Sequence, residues 1–278
     1  MRLHKWLYLF AVFVSGAPLP AGGDALAADA PPANVEAAGA ILAKSYPDWI
    51  ERIEDGQIVW KSGGRLALDD GKGKKTGERW LGDPDPADML DIVYPRAPTS
   101  APVAPGQDPG RARNQAFFAH MYGNCRKDGK ARELVAVTWL PKKSGQKVTV
   151  TKVNGVAARL KAISAELDEL PAQFDAYLMP SAGGYVCRPI AGTDRLSGHG
   201  FGIAVDIATA KSDYWRWARP KGSAESFVPT WRNRIPQEII DVFEKHGFIW
   251  GGKWHHFDTM HFEYRPELLP PKVPVPAG

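Results

Sequence analysis

Leu196-Ser-Gly-His-Gly-Phe-Gly-Ile-Ala-Val-Asp206 is the stretch around which the rest of the chain is organised. It holds His199 and, seven positions on, Asp206; a second histidine, His261, lies far downstream in Asp258-Thr-Met-His-Phe-Glu263. Two imidazoles and a carboxylate, with a fourth position open to water, are the donor set of a catalytic zinc ion. After Gly202 the residues alternate with the period of a strand, so Ile203, Val205 and Ile207 share one face and Ala204, Asp206 and Ala208 the other. The small alanines leave room beside Asp206 for an ion and its other ligands. An acid on such a face is costly without a positive partner.

Upstream, Asp108-Pro109 predicts a helix start, with Ala116, Phe117 and His120 carried toward Cys125. Residues 134–140 and 148–150 read as strands around the turn 142–145. Asn154 is the expected cap of a helix with Val156, Leu160, Ile163, Leu167 and Leu170 on one side. A strand-like passage follows Pro171 as far as Arg188. Downstream, Ile235-Pro236 opens a helix burying Ile239, Ile240 and Phe243 and ending at Gly247, and 248–250 and 260–264 close as strands. This order predicts an α+β domain over 108–269, a small antiparallel sheet carrying the site and helices flanking it. Residues 28–107 read as an irregular extension wrapped on that domain, with a short helix at 36–44 and a hairpin over Ser62-Gly63-Gly64. Residues 270–278 read as a proline-rich tail.

Hydrophobic content of 44% and charged content of 24% over 278 residues are ordinary for a globular protein. The formal charge of +4 and the lack of a basic stripe argue against nucleic acid, without opposing an anionic wall polymer. The segment 1–27 has the form of a cleaved signal peptide: Arg2 and Lys5, an apolar run over 6–14, then Ala25-Leu26-Ala27. That run is about half of the ~20 residues a membrane-spanning helix needs. The expectation is export, to the periplasm or outside the cell, with no transmembrane helix left after cleavage. In that setting Cys125 and Cys187, the chain's two cysteines, predict a disulfide. Such a bridge, closing a loop of about 60 residues, contributes about 4 kcal/mol in the chain-entropy picture.

Asp258 stands three residues before His261, and from a loop it can turn back toward the ion as general base, or it can simply cap its own turn. Glu263 alternates with Met260, Phe262 and Tyr264 on the His261 strand and is either a fourth ligand or an acceptor for a ligand imidazole, the second being preferred because a closed site would lose its reactive water. His255 and His256 are rival ligands, more readily pocket-lining side chains, while His120 and His246 have the setting of structural histidines. Arg188, directly after Cys187, suits a substrate carboxylate or a developing oxyanion. Ser197 either binds substrate or steadies the loop. Trp250, Trp254 and Phe257 are pocket wall or core.

Ser-Gly-His-Gly-Phe-Gly-Ile-Ala-Val-Asp resembles the S-x-H-x-x-G-x-A-x-D pattern of zinc-dependent peptidoglycan peptidases. These comprise D-alanyl-D-alanine carboxypeptidases, the D-Ala-D-Ala dipeptidases of vancomycin resistance and the L-alanyl-D-glutamate endopeptidases of phage endolysins. The closing segment 247–263 looks like the endolysin branch, and the likeness extends over about residues 108–269. It implies the DD-peptidase and hedgehog-like fold, zinc held by His199, Asp206 and His261, Asp258 as base, Arg188 as the substrate- or transition-state-binding arginine, and peptidoglycan stem peptides as substrate. Carboxypeptidases and dipeptidases commonly carry glutamate where this chain has Asp258, which tilts the implication toward an endopeptidase. The cysteine pair and the extension lie outside the pattern. Two other classes stay open: a wall-binding module that keeps its metal for folding alone, and a serine hydrolase working through Ser197, which would be indifferent to chelators.

Overall fold

In the computed structural model, which describes residues 34–98, 103–223, 227 and 230–275, the motif of the opening stretch is a helix–strand junction at the centre of the fold. Its helix, α7 (Gly198–Phe201), is a single turn capped by Ser197, whose hydroxyl accepts from the Gly200 amide at 3.2 Å. Gly202, at φ 73°, ends that turn in the left-handed conformation glycine adopts without penalty, and β6 (Ala204–Asp206) follows at once. Gly198 must also be small, because a Cβ there would collide with the Glu263 carboxylate.

Strand β6 is one edge of a three-stranded antiparallel sheet ordered β6-β8-β7, with β7 at Phe248–Trp250 and β8 at His261–Tyr264. A hairpin of β4 (Leu134–Trp139) and β5 (Gln146–Thr151) packs beside it, joined where the Thr151 amide donates to the Gly202 carbonyl at 2.9 Å. Helices α5 (Val156–Asp168) and α8 (Gln237–Lys245) cover these sheets. On α8 the apolar residues Ile239, Ile240 and Phe243 fall on one side, and the Phe243 ring stacks on Phe262 of β8 at 3.7 Å. The result is a mixed α+β fold of small antiparallel sheets flanked by helices.

Within the segment read as an irregular extension, the expected helix at 36–44 and the hairpin over Ser62-Gly63-Gly64 are present, and a further strand joins them. Helix α1 (Val35–Ser45), capped by Asn34, lies on a three-stranded sheet of β1 (Ile50–Glu54), β2 (Gln57–Trp60) and β3 (Arg65–Ala67), followed by the short α2 (Gly77–Gly82). Leu42, Trp60 and Met89 belong to the same apolar core as Phe201, Val205 and Phe262. Polar ties reinforce this packing: Tyr46 donates to Glu267 at 2.6 Å, and Tyr94 both donates to Glu244 and accepts from the Trp250 amide.

Three local expectations are corrected. The helix expected from Asp108, α3 (Gln115–Tyr122), starts six residues later with Asn114 as its cap, because the Asp108 carboxylate is taken by the distant His256 and by Arg111. Asn154 does not cap α5; it sits at φ 55° and its amide donates to the Tyr122 hydroxyl, leaving Gly155 in the cap position. The passage after Pro171 is a 3-10 turn at Ala172–Phe174 and then α6 (Asp175–Leu178), consistent with a run that lacks β-branched residues. The signal-like segment 1–27 lies outside the described residues. Among the described residues no helix is long and apolar enough to cross a membrane.

Candidate metal centre

Strands β6 and β8 pair so that Ala204 faces Glu263 and Asp206 faces His261. This register puts the Asp206 carboxylate and the His261 ring side by side, and α7 delivers His199 to the same point. Asp206 Oδ1 lies 3.0 Å from His261 Nδ1 and 3.2 Å from His199 Nε2, and the two ring nitrogens are 3.2 Å apart. The opposite ring nitrogens are already engaged: His199 Nδ1 donates to the Gly184 carbonyl at 2.7 Å, and His261 Nε2 donates to Glu263 at 3.2 Å. Those outer contacts set both tautomers, so each ring offers its remaining lone pair to the shared point.

The site asks for positive charge. Burial raises the Asp206 carboxyl, but the His199 and His261 rings more than offset this and hold it far below the usual carboxylate range. Burial would lower His261, yet its hydrogen bonds to Asp206 and Glu263 lift it to about 9. The point between these side chains therefore takes either a proton or a cation, and two nitrogens with one hard oxygen suit zinc. Among the described residues two other groups have donors close enough for an ion, Asp108 with His255 and His256, and Asp69 with Asp70 and Asp85. Their carboxylates already meet cations: Arg111 lies 3.2 Å from Asp108, and Lys75 lies 2.6 Å from Asp85 and 3.3 Å from Asp70. Asp206 forms its ion pairs with the two imidazoles.

Asp258 lines the same pocket. Its backbone is held by a donor bond to the Gly251 carbonyl at 3.0 Å and by a bridge to Tyr214, yet its buried Oδ1 has no hydrogen-bond partner. It is therefore not a turn aspartate satisfied by its own backbone. Burial, and then the nearby Asp206 charge, raise its carboxyl to about 6. An unpaired acid with a shifted pKa beside a candidate ion site is the profile of a proton-transfer group.

Arg188 and Ser197 also border the pocket. The Ser197 hydroxyl is used as the α7 cap, so it steadies the loop. Cys187, next to Arg188, forms the disulfide with Cys125, with Cα atoms 5.8 Å apart across a separation of 62 residues. We expect the Cys125→Ser/Cys187→Ser double variant to lose about 4 kcal/mol of stability by denaturant unfolding; an unchanged midpoint would show that the loop is held by its packing alone.

Of the remaining histidines, His256 Nδ1 donates to the Asp108 carboxylate at 2.7 Å, and His255 Nδ1 accepts from the Gly106 amide at 3.3 Å. His120 stacks on Trp60 at 4.0 Å, and His246 pairs with Glu166 at 2.7 Å. Sequence reasoning missed Arg113, Tyr214 and Trp215 at the pocket wall. Arg113 reaches Glu263 across 150 residues of chain, and no local pattern announces such a pair.

In comparison with known proteins, residues 191–264 fit the family model described as D-alanyl-D-alanine carboxypeptidase. That span runs from just before α7 to the end of β8 and includes every side chain at the candidate ion site. No curated protein and no solved structure matches the chain.

Proposed function

From the premise that the chain belongs, through residues 191–264, to the D-alanyl-D-alanine carboxypeptidase family, we propose that it is an exported zinc peptidase that hydrolyses a peptide bond in peptidoglycan stem peptides. The observation that carries this reading is the meeting of His199 Nε2, His261 Nδ1 and Asp206 Oδ1 within 3.2 Å of one another, beside the unpaired carboxylate oxygen of Asp258. These three side chains would hold zinc, which when bound would supply Lewis-acid polarisation of the scissile carbonyl and acidify a water. Asp258 is placed to accept a proton from the attacking water and to return it to the departing amine. Arg188 binds a substrate carboxylate or the oxyanion as it develops, its backbone steadied by the neighbouring disulfide. Gly184 and Glu263 keep the two imidazoles aimed, so little reorganisation is needed when substrate arrives.

Two bonds compete as the target. The family description favours removal of the terminal D-alanine, whereas aspartate rather than glutamate at position 258 favours cleavage inside the stem. Digesting purified muropeptides and weighing the products decides this: loss of one alanine marks a carboxypeptidase, and two stem fragments mark an endopeptidase. Intact muropeptide after incubation with zinc-loaded protein would refute the peptidase reading and leave a metal-stabilised wall-binding module. Chelation should abolish hydrolysis and added zinc restore it; a serine hydrolase would ignore both.

The pH profile follows from Asp258. A base must be ionised, and its carboxyl sits at about 6 in the metal-free protein. Activity should therefore fall as pH drops through that region. A bound dication favours the carboxylate and moves this limb to lower pH. An acid limb that is unchanged in the Asp258→Asn variant's residual activity would remove Asp258 from the role.

A further inference from the structure

Rings in the segment Asp213-Tyr-Trp-Arg-Trp-Ala-Arg219 form a continuous aromatic path out of the pocket. His256, Trp215 and Tyr214 all border the pocket. The Trp215 ring meets His256 edge-on at 4.9 Å and Tyr214 at 6.3 Å, and Tyr214 in turn meets Trp217 at 5.6 Å. Trp217, at the outer end, is 59% exposed, the most exposed large hydrophobic side chain among the described residues. An indole left in water beside a catalytic pocket is uncommon unless something covers it. Guanidinium groups flank the path: Arg216 lies over Trp215 at 5.1 Å and Arg219 at 5.5 Å. Arg216 donates to the Ala191 carbonyl at 3.2 Å, while its buried Nε–H has no partner. A flat apolar ring face next to the Arg216 guanidinium, whose Nε–H is unpartnered, matches a pyranose, whose axial C–H groups form an apolar face and whose hydroxyl and N-acetyl oxygens accept hydrogen bonds.

We propose that Trp217, with Arg216 beside it, is a subsite for the glycan of the wall polymer, taking an N-acetylated hexosamine ring of the strand to which the stem peptide is attached. This rests on the peptidase reading for its substrate. The reach is sufficient: an extended peptide covers about 3.3 Å per residue, so a four-residue stem spans about 13 Å. A sugar on Trp217 therefore stays covalently joined to a peptide held in the pocket one aromatic ring away. The subsite makes the enzyme prefer glycan-linked stems over free peptides.

The test compares the zinc-loaded wild type with Trp217→Ala and Trp217→Phe on a disaccharide-linked stem peptide and on the same peptide without sugar. Trp217→Ala should raise KM for the linked substrate about tenfold, equivalent to about 1.4 kcal/mol, with kcat unchanged and the free peptide unaffected. Trp217→Phe should keep most of the preference. A second assay needs no turnover: peptide-free glycan strands should bind the wild type and bind Trp217→Ala at least about tenfold more weakly. Equal losses on both substrates, or strand binding that ignores the substitution, would overturn the subsite. So would sedimentation showing that Trp217→Ala merely dissociates a dimer of the chain. If the wild type hydrolyses neither substrate, the peptidase reading fails, and strand binding still decides the subsite.

Discussion

Asp258→Ala should keep its zinc and its fold and lose hydrolysis of stem peptides by about a thousandfold, within the range that a positioned acid–base group contributes. The two halves of this result have separate causes. Asp258 makes no side-chain hydrogen bond through its buried Oδ1, and burial together with the Asp206 charge works against its ionised form. Removing it leaves no donor stranded and takes away a like charge, so the melting temperature should hold or rise while turnover collapses. Stability set against activity in this way is the mark of a group kept for chemistry. Zinc content by atomic absorption, thermal unfolding and kcat on muropeptides measure the three quantities. Unaltered turnover would place the base elsewhere, and lost zinc would make Asp258 a ligand instead.

The second large effect is expected at Arg113, which does not touch the ion site. Glu263, fully buried, accepts from Arg113 Nε at 2.6 Å and from its Nη2, and from Arg265 Nη1 at 3.4 Å. Burial raises the Glu263 carboxyl, but Arg113 and His261 outweigh it and keep it ionised. Arg113→Met leaves that carboxylate without its two-pronged partner in a dry interior, which costs about 3–5 kcal/mol. Glu263 also steers the His261 ring, so zinc affinity should fall about 10- to 100-fold. Arg113→Lys should recover part of each, since an ammonium supplies the charge but not the planar fork. Unfolding of the metal-free protein and zinc titration read the two effects independently. A stability loss with unchanged zinc affinity would mean that the pair supports the fold and does not orient His261.

Much of the fold could be read from short-range pattern. Helix α8 and strands β6 to β8 follow from apolar period, with Gly202 and Gly247 as stops, because each signal lies within one element. The helix start near Asp108 and the cap at Asn154 were misplaced for the opposite reason. Both side chains have the chemistry of a cap, but partners distant in sequence took them, His256 (with the nearby Arg111) in one case and Tyr122 in the other. The helix at 36–44 and the hairpin over Ser62-Gly63-Gly64 were legible in the same way, whereas β1, Ile-Glu-Arg-Ile-Glu, holds only two apolar residues and gives no clear period.

By itself the sequence determined which residues have the chemistry: two histidines and an aspartate at spacings that a strand–turn–strand unit can bring together, an aspartate near the last of them, and cysteines suited to a bridge. Tertiary structure decided what those groups experience. The register of β6 on β8 brings Asp206 opposite His261, and burial leaves Asp258 unpaired. The chain upstream of the family match supplies Arg113 behind the site, and the loop after β6 lays an aromatic path out of it. Donor type is local to a residue, whereas desolvation, orientation and partnership depend on what the whole chain packs around it.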